Sequence, residues 1–237
     1  MEHLTRELDA LLSQLPNEGE FRIRLESLQS AYPFNEYEYI ISTLLGVDTL
    51  SLDQYYELRD KYIERNCFLH LFDFTSRRFG DTWAYGQLKS IIPEIRKPSR
   101  DLDASYQAGE YDAFLEGIRI EIKSSRAVDL DSAAAMSEKA LASDSEKRFW
   151  MNFQQIKPDL CDVFVWIAVW RDIIRYWVLS SREVETNRYY SKGQHRGNVG
   201  EGQLHVKNDN IHQFDGYEVQ PSTLADAIRA AHQRAVL

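Results

Sequence analysis

Apolar residues recur at helical spacing through the first third of the chain. Leu4, Leu8, Leu11, Leu12 and Leu15 form one stripe, and Pro16-Asn17 ends it. Phe21, Leu25 and Leu28 repeat the pattern up to Pro33. A third helix is predicted near Asn35–Leu45, and a fourth from Ser51-Leu52-Asp53, where a serine precedes the periodic run as an N-cap does. Residues 66–79 and 82–92 continue in this style, with a break expected near Gly80.

The period changes after Pro93. Residues 94–107 are polar, with room for an edge strand. Residues 109–123 alternate as two short strands around a two-residue turn, Glu116-Gly117. Residues 129–150 read as helix or loop, rich in charge and alanine, and Asn152–Lys157 as a short helix stopped by Pro158. Val163–Trp170 is an unbroken run of eight apolar residues, which suits a central strand buried on both faces, although periodicity alone also admits a helix of this length. Arg171-Asp172 makes a turn, Ile173–Leu179 a paired strand, residues 187–210 a Gly- and Asn-rich loop or hairpin, and Thr223–Arg234 a final helix. The expected architecture is therefore α/β: a mixed central β-sheet flanked by helices, with a helical N-terminal region over 1–65 and the sheet-bearing domain over 66–237.

The composition fits a globular chain, with 43% hydrophobic and 12% aromatic residues in 237. A formal charge of −9 argues against indiscriminate coating of polyanions but leaves room for a local basic groove. Cys67 and Cys161 lie far apart in apolar stretches and read as two buried thiols, with neither disulfide nor metal spacing. His195, His205 and His212 show no ligand spacing. The start has no signal-peptide character and no stretch suits a membrane span, so the expectation is a cytoplasmic protein.

The hairpin carries the candidate chemistry. With a two-residue turn, Leu115 meets Ile118, Ala113 meets Ile120 and Tyr111 meets Ile122, which makes one face apolar. On the other face Asp112 opposes Glu121, and Glu110 opposes Lys123. Like charges directly opposite destabilise a sheet, so the two carboxylates must share a proton or hold a cation. Oxygen ligands favour a hard ion such as Mg²⁺, which keeps waters and accepts phosphate oxygens. Lys123 lies on the same face as Glu121 and is placed to orient an attacking water or stabilise charge on a phosphate. An amphipathic hairpin with a wet charged face, Lys123 merely offsetting the acids, would carry the same residues.

An upstream helix, "YDAF" on one strand, "IEIK" on the next, then a helix and a buried apolar strand together resemble the PD-(D/E)XK nucleases, the superfamily of the type II restriction endonucleases. The resemblance spans roughly residues 70–180. It implies a restriction-endonuclease-like fold, with Asp112 and Glu121 as metal ligands, the carbonyl of Ile122 as a further ligand, and Lys123 as the catalytic lysine. Tyr111 stands where the family's proline often stands, and the preceding helix offers only Asp81 for the acidic position common among relatives. The resemblance also implies Mg²⁺ with Mn²⁺ as a substitute, double-stranded DNA as partner, and a homodimer to cut both strands.

Given that reading, Ser124, Ser125 and Arg126 are candidates for binding backbone phosphate, and Gln154 or Gln155 for a place beside the site. From Arg171 to Lys207 seven basic residues stand against four acidic ones. There Lys192, Gln194, His195, Arg196 and Asn198 are the candidate DNA contacts, being side-chain types that bind phosphates or read base edges. Two other classes stay open: a repair or mobile-element nuclease without a short recognition site, and a non-catalytic nucleic-acid-binding protein.

Overall fold

A computed structural model describes residues 2–26, 33–193 and 201–236. Four helices come first: α1 (Glu2–Leu12), α2 (Glu18–Glu26), α3 (Pro33–Gly46) and α4 (Leu52–Glu64). Leu8, Leu12, Phe21, Ile41, Leu44 and Leu58 close a core of their own. Ser51 caps α4 as anticipated: its hydroxyl accepts from the Gln54 N–H at 3.2 Å, and Gln54 Oε1 accepts from the Ser51 N–H at 2.9 Å.

The chain does not break at Gly80. It passes through a π-helical stretch, Arg78–Trp83, directly into α5 (Ala84–Ile91). No further strand forms before the hairpin among the described residues; Arg96 makes only an isolated bridge to Phe114. Then come β1 (Ala113–Leu115), β2 (Ile118–Arg126), β3 (Val128–Asp129), β4 (Phe149–Ile156), β5 (Val163–Val169), β6 (Ile174–Ser180), α6 (Ser181–Glu185), β7 (Tyr190–Lys192), β8 (Gly202–Lys207), β9 (Glu218–Val219) and α7 (Leu224–Val236).

The strands form two sheets. One is mixed, in the order β1-β2-β5-β6-β9, with β2 and β5 parallel and the other pairs antiparallel. As its apolar run predicts, β5 is buried at all seven positions, between β2 and β6. One of its faces, Val163, Val165, Ile167 and Val169, packs with Ile120, Ile122, Leu88 of α5 and Ile228 of α7. The other face, Phe164, Trp166 and Ala168, packs on the second sheet, β3-β4-β8-β7, through Met151, Phe153, Leu204 and Val206. The α/β expectation holds, with the mixed sheet covered by helices on one side.

The second sheet departs from the reading of the sequence. Asn152–Lys157 is not a helix: it belongs to β4, where Phe149, Met151 and Phe153 are buried and Trp150, Asn152 and Gln154 alternate outward. The period is two, and Pro158 ends a strand. Residues 130–148 are turns rather than helix, because side chains such as Asp129 Oδ1, accepting from the Asp131 N–H, satisfy the backbone locally. The 187–210 segment contains the β7–β8 hairpin. Gly202 permits that pairing, since a Cβ there would lie 2.1 Å from the Tyr190 ring. Cys161 is buried as expected, whereas Cys67 is exposed.

Candidate active site

The β1–β2 turn places two residues in left-handed conformations, Glu116 at φ 51° and Gly117 at φ 91°. That backbone matches the twist of a two-residue hairpin and sets the predicted register, with Leu115 facing Ile118 and Ala113 facing Ile120. The pairing stops short of Tyr111. The Asp112 N–H donates to the Ile120 carbonyl at 3.0 Å, and the next rung is made by a side chain: Asp112 Oδ2 accepts from the Ile122 N–H at 2.9 Å. Tyr111 instead turns away and donates its hydroxyl to Asp103 at 2.9 Å. Glu110 likewise does not face Lys123; it accepts from the Gln107 N–H at 2.7 Å.

Strand alternation puts Ile120 and Ile122 into the helix-side core and Glu121 and Lys123 on the opposite face of β2. Glu121 is only 6% exposed. Burial pushes its carboxyl up to about 7; the Lys123 ammonium pulls it down, and the neighbouring Asp112 carboxylate pushes it up again. Lys123 Nζ lies 2.5 Å from Glu121 Oε1 and serves as counter-ion to the buried charge. Two carboxylates and a lysine thus meet just ahead of the start of β1, alongside β2.

A cleft of about 640 Å³ opens over these groups. Asp112, Glu121 and Lys123 line it, as do Ser124 and Arg126 further along β2, Asn152 and Gln154 from β4, and Gly80 and Asp81 from the π-helical stretch. A π-turn shifts its side chains out of α-helical register and is a common device at functional sites. It brings Asp81, the only acid of that helix, to the cleft, where it pairs with Arg77 at 3.6 Å. Among the described residues, no group of three or more acidic, His or Cys side chains is close enough to hold a metal. Two carboxylates and a backbone carbonyl nevertheless suit a hard ion that keeps its waters.

The other candidates divide. Ser125 Oγ is engaged by the Asn152 N–H at 2.9 Å and ties β4 to β2. Ser124 lines the cleft with a buried hydroxyl that makes no hydrogen bond. Arg126 donates from Nη1 to the carbonyls of Leu71, Phe72 and Phe74, at 2.9 to 3.1 Å, and lies over the Phe79 ring. It holds the segment before the π-turn in place. Gln154 is exposed at the cleft, on a strand rather than a helix, and Gln155 follows in a β-bulge at φ 56°. Lys192 is exposed and pairs with Glu185 at 3.5 Å. Gln194, His195, Arg196 and Asn198 lie outside the described residues. Sequence reasoning missed Trp150, Lys139 and Lys157 in the cleft wall; the strict alternation of Phe149–Gln154 was the signal that would have found the first.

No family model matches the chain, nor does any curated protein. Among solved structures, a bacterial homing endonuclease, I-Ssp6803I, aligns over 68% of this chain and 97% of that one, at 12% identity and a TM-score of 0.35. So slight a likeness carries neither fold nor activity across. No helix among the described residues is long and apolar enough to cross a membrane.

Proposed function

We propose that the chain is a metal-dependent endonuclease that hydrolyses phosphodiester bonds in double-stranded DNA at short sites, as a type II restriction enzyme does. The observation that carries this reading is the convergence of Asp112, Glu121 and Lys123 on one open cleft, with Glu121 buried. Asp112, Glu121 and the Ile122 carbonyl would hold Mg²⁺, or Mn²⁺ in its place. A bound ion would polarise the phosphate and lower the pKa of a ligated water. Asp112 is oriented for this by its bond to the Ile122 N–H, which leaves its second oxygen free of that bond. Lys123, whose ammonium pairs with Glu121, would then lie beside the phosphate, where it would orient the water or stabilise developing charge.

Cleavage of both strands is most simply done by a symmetric pair of subunits. Leu52, Tyr56 and Ile63, each about half exposed, share one side of α4 and supply an apolar surface for such a homodimer.

The test is incubation of the purified protein with a mixed plasmid and phage DNA panel, with Mg²⁺ and with EDTA, beside Lys123→Ala. Discrete fragments that need metal and vanish in the variant are expected. A metal-dependent smear lost in the variant would remove the restriction assignment and keep the chemistry. Cleavage unchanged in the variant, or no cleavage of modified or unmodified DNA, would overturn the reading.

A further inference from the structure

The second sheet has an outer face that the hydrolytic groups do not use. On β4 it carries Trp150, Asn152 and Gln154; on β8 it carries Gln203, His205 and Lys207. The ladder sets them in three rungs: Trp150 opposite Lys207, Asn152 opposite His205, and Gln154 opposite Gln203. The β4 half of each rung lines the cleft that holds Asp112, Glu121 and Lys123, so this face begins where the scissile phosphate would lie.

Two features set it apart from a merely solvated sheet face. In a chain of formal charge −9, all six positions lack a carboxylate, and three of them are carboxamides. The central rung is also chemically incomplete. Asn152 Oδ1 and His205 Nε2 are buried without a hydrogen-bond partner, and so is Ser124 Oγ on the adjoining β2. Asn152 and Ser124 line the cleft and His205 stands beside it on β8; buried polar atoms are nearly always paired, so these three lack the partners such groups normally hold. Lys207 forms no ion pair among the described residues.

We propose that the β4–β8 ribbon is the base-reading surface of the protein and lies in the major groove of duplex DNA beside the cleavage site. The groove, about 12 Å wide, admits a two-stranded ribbon. Carboxamides offer the donor–acceptor pair that matches adenine N6 and N7, lysine matches the guanine O6 and N7 acceptors, and an imidazole nitrogen donates or accepts at a base edge. The inference rests on the nuclease reading for its choice of duplex DNA as ligand.

The experiment selects from a randomised duplex pool with the full-length Lys123→Ala protein, so that bound DNA stays whole. The same selection is run after adding Gln203→Ala, Gln203→Glu or His205→Ala, with thermal melting to confirm folding. The parent is expected to enrich a short motif. Gln203→Ala should lower discrimination at one base position about tenfold, and Gln203→Glu should move the preference there towards cytosine, whose N4 amine donates to a carboxylate. Identical motifs in the parent and all three folded variants would overturn the proposal, as would a parent that binds duplex without base preference or does not bind it. Failure of the nuclease reading shows separately: the wild-type protein would leave the enriched duplexes uncut in Mg²⁺.

Discussion

Glu121 sits where a carboxylate is costly, and its ionisation should govern the pH response of the site. Its carboxyl is pushed up to about 7, chiefly by burial. A divalent cation at the proposed site would have to displace its proton below that value, so metal affinity should fall about tenfold per pH unit lost below 7 and level off above it. Calorimetric titration of Mg²⁺ in buffers of different ionisation enthalpy should show nearly one proton released at pH 6 and almost none at pH 8. The same shift has a sign for stability. The folded value lies above the ordinary carboxylate value of 4.5, so this group's contribution is fully present below about 4.5 and is lost as pH rises through 7. The melting temperature of metal-free protein should therefore decline over that window, and less so in Glu121→Gln. Lys123→Ala should lower the rate of hydrolysis by about 10²–10⁴, the usual worth of a positioned proton-transfer or charge-stabilising group, with duplex affinity nearly intact. Single-turnover cleavage and a filter-binding titration separate the two.

At the scale of elements, the hairpin and β5 were legible because their signals are local. A two-residue turn with glycine sets a register without help from the rest of the chain, and eight apolar residues in a row, rich in β-branched and aromatic types, suit a buried strand, although periodicity alone also admits a helix. The helix cap at Ser51 was legible for the same reason. Its replacement, Ser51→Ala, should cost about 1 kcal/mol in denaturant unfolding, read as a lower midpoint at unchanged slope. The second sheet was not legible. Its strands are short, the sequence offers Asn152–Lys157 as a short helix stopped by Pro158, and the pairing of β4 with β8 spans some fifty residues that no local pattern announces. The π-turn that carries Asp81 to the cleft, and the bulge that turns Gln155 there, arise from tertiary fit and leave no signature in spacing. Gln155 holds a positive φ of 56° at a position that has no need of a side chain for packing. Gln155→Gly should relieve about 1 kcal/mol of backbone strain and raise the melting temperature. If the bulge positions the cleft wall, cleavage should fall in the same variant.

At the scale of the whole molecule, the N-terminal helices stand apart from the sheets in their packing, with a core that draws only on residues 8–62. The half-exposed Leu52, Tyr56 and Ile63 on α4 face away from that core. Ile63→Asp, a substitution on the outside of the helix, should leave the monomer folded and shift it out of the proposed dimer in analytical ultracentrifugation. Double-strand cleavage of a plasmid should then give way to nicked circles.

Strands β2 and β3 lie almost end to end, separated by Ala127 alone, so that one length of backbone pairs with β5 in the first sheet and with β4 in the second. No hinge divides the two sheets at that crossing. Amides on either side of it, such as Ile122 and Met151, should exchange with deuterium only through the same global opening and at the same slow rate. The proposed site of bond cleavage and the face beside it would then be lost or kept together. A break in the backbone pairing of that shared strand, such as a proline introduced within β2, should abolish both at once, whereas a side-chain replacement such as Lys123→Ala leaves the pairing whole.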